Sequence, residues 1–150
     1  MKKTLANEAD RQEIAARIER LTPDARRQWG TMTCGGMVCH LNDAFLYAMG
    51  ERDAAEASMS IGRRLMKWAA LDAPMQWPHG FKTRPEFDQG IGGTKPSEFS
   101  RDLAALKTQF ARFSSAGLVT RHPIFGAMSR EDWLRWGYLH CDHHLRQFGV

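Results

Sequence analysis

The chain has 150 residues, the length of one ordinary domain that buries a core without a disulfide framework or a structural metal. It is 43% hydrophobic and 25% charged, and 21 Lys+Arg against 17 Asp+Glu give a formal charge of +4, so it is globular, and its mild basic excess permits an anionic ligand without demanding one. No apolar run approaches the roughly 20 residues that cross a bilayer, and no basic stripe marks a recognition helix, so neither a membrane nor a nucleic acid is an expected partner.

Asn7 to Leu21 carries Ile14, Ile18 and Leu21 on one face and predicts the first helix. Thr22-Pro23 suits a short capped turn. The second helix is expected from Thr33 to about Met49, with Gly50 as its stop. The Gly35-Gly36 pair weakens its first turn but lets another backbone approach. A shorter helix is expected near Met59 to Leu71, with Ile61, Leu65 and Trp68 on one side. From Ala73 to Lys95 the prolines and glycines predict a long irregular crossover, the kind of segment that is usually functional.

Ser97 is the expected cap of a helix reaching Phe113, with Phe99, Leu103, Leu106, Phe110 and Phe113 as its seam. After the apolar loop Arg121 to Gly126, Ser129-Arg130-Glu131-Asp132 resembles a capping box. The last helix then runs to about Gln147, closed by Gly149. No segment shows strand alternation. The expectation is an all-α chain, a four-helix bundle over residues 1–150 with one additional short helix and the long crossover.

Six histidines and five tryptophans are the unusual part of the composition. His140 and His144 are four residues apart, so they lie about 40° apart around the helix and roughly 6 Å along it, and both imidazoles reach one point. Such a pair is a common way to hold a divalent metal. Trp133, Trp136 and Gly137 share their side, while His143 is turned about 100° from His144. A third ligand must come from another helix, and His40 is the candidate; Asp43 is placed to orient its imidazole. Tyr47 follows on the same face as a pocket residue, and Trp29, Trp77, Trp133 and Trp136 are candidate walls whose default is core. The bland alternative is a set of hydrogen-bonded core histidines. His79 and His122 sit in Pro/Gly loops, where turn or surface roles are the default, and His122 is also a candidate pocket residue. Cys34, Cys39 and Cys141, without CxxC spacing, read as reduced thiols. Glu8, Asp10, Arg11 and Glu13 stand where a signal peptide would need an apolar stretch, so the expected location is cytoplasmic.

The strings Met37-Val38-Cys39-His40-Leu41, His122-Pro123-Ile124-Phe125-Gly126 and His140-Cys141-Asp142-His143-His144-Leu145-Arg146-Gln147-Phe148-Gly149 resemble an uncharacterised branch, a domain of unknown function, of the DinB/YfiT-like superfamily of metalloenzymes. The resemblance covers about Arg17 to Gly149. It implies a four-helix bundle with His40, His140 and His144 as metal ligands, and nickel or zinc as the ion. It also implies a small-molecule substrate such as a low-molecular-weight thiol. Arg63, Arg64 and Lys67 are candidates to receive its carboxylates, although the default for such a charge cluster is a solvated surface. Thiol transfer and hydrolysis both follow from an open three-histidine ion. The alternative is a non-catalytic bundle whose apolar loops serve a partner or a homodimer interface. The missing Glu-x-x-His pairs argue against a di-iron site.

Overall fold

The computed structural model describes residues 2–55 and 62–150. Five α-helices lie among them: α1 Glu8–Glu19, α2 Cys34–Ala48, α3 Arg63–Leu71, α4 Phe99–Phe113 and α5 Arg130–Gln147. None is long and apolar enough to cross a membrane.

The helix ends follow local chemistry. Asn7 accepts a hydrogen bond from the Asp10 backbone N–H, and Thr33 does the same for Gly36. Ser129 and Asp132 exchange both bonds of a capping box at the start of α5. Gly50 and Gly149 take φ of +75° and +74°, the left-handed turn that ends a helix. One start differs: Glu98, not Ser97, caps α4, because its longer carboxylate reaches the N–H groups of Ser100 and Arg101. Ser97 bonds Asp102 instead.

Three other expectations need correction. The chain is not purely helical: β1 (Arg121–His122) pairs antiparallel with β2 (Gly126–Ala127) across the His-Pro loop. Two residues per strand are too few to show alternation. The crossover also contains a 3₁₀ turn, Pro85–Phe87, opened by its proline. What approaches Gly35 is the Pro96 ring, 3.4 Å from where a Cβ would stand, rather than another backbone.

The core lies between α2 and α4, with α5 closing it and α1 packed on α5. Ile14 and Ile18 of α1, Leu41 and Phe45 of α2, Leu106 and Phe113 of α4, and Trp133 and Leu145 of α5 are buried. α3 also rests on α5, but turned against expectation. Leu71 is buried while Leu65 and Trp68 are 69% and 55% exposed. Met59 and Ile61, where that helix was expected to begin, lie outside the described residues.

Gly137 sets how closely α5 approaches its neighbours. A Cβ there would stand 2.8 Å from Leu5 Cδ1 and 2.9 Å from Phe113 Cε1. Alanine normally gains about 1 kcal/mol over glycine inside a helix. Here the sign reverses, because Phe113 is fully buried and has no room to give. Gly137→Ala is expected to cost about 1–3 kcal/mol, read as a lower urea midpoint at unchanged slope.

Candidate metal centre

α2 delivers His40 from one side, and α5 delivers His140 and His144 one turn apart from the other. Their candidate ligand nitrogens lie within 4.8 Å of one another, and His40 Nε2 and His140 Nε2 are 3.0 Å apart. Imidazole nitrogens on one tetrahedral ion at about 2.0–2.1 Å stand roughly 3.3 Å apart, so the cluster has the span of a single ion. The three rings are 7%, 9% and 8% exposed.

Two of the rings are held in a fixed tautomer. His40 Nδ1 lies 3.0 Å from the Phe87 carbonyl, which can only accept. Nδ1 therefore carries the proton, and Nε2 presents its lone pair to the cluster. His144 Nδ1 lies 2.9 Å from Gln147 Oε1. The Gln147 amide is oriented by its Nε2, which donates to the Trp29 carbonyl at 3.1 Å. His144 must then donate from Nδ1, which leaves its Nε2 as a lone pair too. Gln147→Leu keeps the helix and removes this lock. It is expected to weaken divalent-ion binding 10- to 100-fold in a competition titration, and unchanged affinity would show the lock to be idle.

Burial sets the protonation of the cluster. It lowers His40, opposed by the Phe87 carbonyl and the Asp43 charge. Burial holds His140 and His144 well below the ordinary imidazole range, with neighbouring imidazoles acting in the same direction. Burial, then the Arg84 charge, takes His122 down to about 3. In the unfolded chain each imidazole titrates near 6.5. Below that pH the unfolded chain binds protons that the folded one refuses, so stability is full above pH 6.5 and is lost as pH falls. His122 removes on the order of 2 kcal/mol by pH 5, and the three cluster histidines act in the same direction. Urea midpoints of the metal-free protein at pH 7.5 and pH 5 should differ accordingly, and equal midpoints would contradict the buried neutral cluster.

The three histidines line a cavity of about 410 Å³. Tyr47, Trp136 and His122, named from the sequence as pocket residues, line it as well. Tyr47 donates its hydroxyl to the Arg121 carbonyl and so fixes the hairpin beside the cavity. His122 Nδ1 accepts from the N–H groups of Ile124 and Phe125, which leaves its proton on Nε2. His122 is thus part of the wall and not a surface residue. Trp133 is core: fully buried, it donates to the Val119 carbonyl and stands behind Trp136 and not in the cavity wall.

Asp43 does not bond His40. Its carboxylate accepts from the Thr94 N–H at 2.7 Å and hydroxyl at 2.6 Å, and pairs with Arg52 at 3.3 Å. It therefore ties the crossover to α2, and beyond its charge it acts on His40 through the segment that carries Phe87. Trp77 lines the cavity, whereas Trp29 lies outside it and stacks on His79 with ring centroids 3.9 Å apart.

Two features of the site went unassigned from the sequence. His143 lines the cavity although it is turned from His144, and its buried Nδ1 has no hydrogen-bond partner. Gln147 was visible in the terminal His-His-x-x-Gln string without a role. Burial pushes the Cys34 thiol up to about 11 and Cys39 to about 12, which favours the protonated thiol, and none of the three cysteines lines the cavity.

The chain matches the family described as Protein of unknown function (DUF1569) over residues 2–149, and it belongs to that family. No curated protein and no solved structure matches it.

Proposed function

We propose that this chain is a divalent-metal-dependent enzyme acting on a small molecule, with His40, His140 and His144 as the ligands. One observation carries the reading: three buried imidazoles, two with Nε2 lone pairs fixed by Nδ1 partners, converge in the wall of a cavity large enough for a substrate. A cluster that served only to fill the core would have no use for that opening. The likeness of the histidine strings to the DinB/YfiT-like superfamily supports the same ligand set. In that view α1, α2, α4 and α5 are the four-helix bundle and α3 is the additional helix. Three neutral imidazoles suit nickel or zinc. Three buried free thiols fit a reducing, cytoplasmic setting.

A bound ion would keep open coordination positions and lower the pKa of a water or thiol held there. The chain's own residues do the rest. The Phe87 carbonyl and Gln147 hold the ligand rings, Trp77 and Trp136 exclude water, and His122 offers a neutral N–H in the wall. No Asp or Glu lines the cavity among the described residues. That favours transfer of a thiol over hydrolysis, which draws more heavily on a positioned acid and base.

The test is turnover by metal-loaded protein on thiols paired with electrophiles, and separately on esters and amides. Thiol transfer that disappears in His40→Ala is expected. Ester or amide hydrolysis would replace the transferase reading, and bound metal with no turnover on any of these would contradict the catalytic one.

A further inference from the structure

The walls of the cavity carry chemical information about what fills it. Beyond the imidazoles they are mostly carbon, from Met66, Trp77, Phe87, Ile124, Phe125 and Trp136, with Tyr47, Gln76 and Thr83 as the neutral polar side chains. Its two cationic side chains, among the described residues, are Lys82 and Arg84. The Arg84 guanidinium is engaged by the Ala55 carbonyl and Glu86 Oε1. The cations expected to receive carboxylates are not in the wall: Arg63, Arg64 and Lys67 are absent from the lining. Lys67 is bound to Asp132 and to the Ala127 carbonyl. An anionic group along these walls, away from the proposed ion, would lose its hydration and, with Arg84 engaged, would meet Lys82.

The apolar wall also continues outward. Met75 and Phe81 both line the cavity, yet they are 65% and 69% exposed. Large apolar side chains held in water at the mouth of an apolar cavity mark a binding surface. From an apolar wall, a nearly chargeless lining and an apolar mouth, we infer that the site takes an uncharged molecule. Its alkyl or aryl body fills the cavity and reaches past Met75 and Phe81. The inference rests on the proposed metal reading for the ligand's donor end, whereas the apolar body is argued from the walls alone.

The experiment uses primary alkyl thiols from ethanethiol to hexanethiol against glutathione and mercaptosuccinate. Binding to the cobalt-loaded protein is read from the thiolate charge-transfer band. Binding to the metal-free protein is read from the melting temperature. Affinity should rise about fourfold per methylene until the cavity is filled. Hexanethiol should bind at least tenfold more tightly than glutathione. Phe81→Asp, at an exposed position that does not threaten the fold, should flatten the chain-length dependence. Affinity independent of chain length, or glutathione binding as well as hexanethiol, overturns the inference. If cobalt is not bound at all, the metal reading fails separately. The melting shifts then still decide the apolar body: rising with chain length supports it, and flat contradicts it.

Discussion

His40→Ala and His144→Ala are each expected to abolish most of the stabilisation that a divalent ion gives this protein. An ion present at a thousand times its dissociation constant stabilises the folded state by about 4 kcal/mol. For a chain of this size that raises the melting temperature by roughly 8–16 °C. Loss of one of three ligands removes a direct bond to the ion and should weaken binding at least 100-fold, which reduces the shift to a few degrees. His40 and His144 are the informative pair because they come from different helices, α2 and α5. An effect at both ties the ion to the junction of the helices rather than to one surface turn. The metal-free variants should still fold, since each loses a buried polar ring whose partner, the Phe87 carbonyl or Gln147, costs only about 1–3 kcal/mol when left unpaired. An undiminished shift in both variants contradicts the ligand assignment.

Asp43→Ala is expected to damage both stability and metal binding, although Asp43 touches no proposed ligand. Its side chain is fully buried and bonds Thr94 twice. Arg52, which pairs with it, donates in turn to the carbonyls of Glu86 and Gly92. Those two carbonyls flank Phe87, whose own carbonyl holds His40. Removing one partner of a buried ion pair costs about 3–5 kcal/mol, and Arg52's partial exposure places this case at the lower end. Loosening Phe87 should also weaken ion binding 10- to 100-fold, in line with losses of partners that orient metal ligands. Urea denaturation of the metal-free protein reads the first effect, and competition titration reads the second. Lower stability with unchanged ion affinity would show that the crossover does not position His40.

The helix ends were legible because capping is local. The Ser129–Asp132 box acts as its spacing implies, and Asn7 and Thr33 cap the helices whose starts they mark, whereas Ser97 leaves the capping of α4 to Glu98. The meeting of His40 with His140 and His144 was also readable, since helical spacing and an apolar face bring such residues inward. What could not be read came from tertiary contacts. The Phe87 carbonyl orients His40, and a backbone oxygen in an irregular segment carries no residue-type signal. Asp43 sat at the right distance along α2 to serve His40, yet Thr94 and Arg52 offered it better donors from the crossover. Leu65 and Trp68 have the spacing of a buried stripe but face solvent, because α3 turns Leu71 inward and Met66 toward the cavity. His122 looked like a loop residue because the hairpin that buries it is two residues long on each side.

One ion held by three histidines from two helices has a stoichiometric signature. It is read by equilibrium dialysis of untagged protein against nickel, zinc, cobalt and manganese at pH 7.5, followed by elemental analysis. Close to one nickel or zinc ion per chain is expected in the native protein. Essentially none is expected in the triple variant His40→Ala, His140→Ala, His144→Ala. Absence of any of the four metals from the native protein, or equal metal in the triple variant, would contradict the three-histidine site.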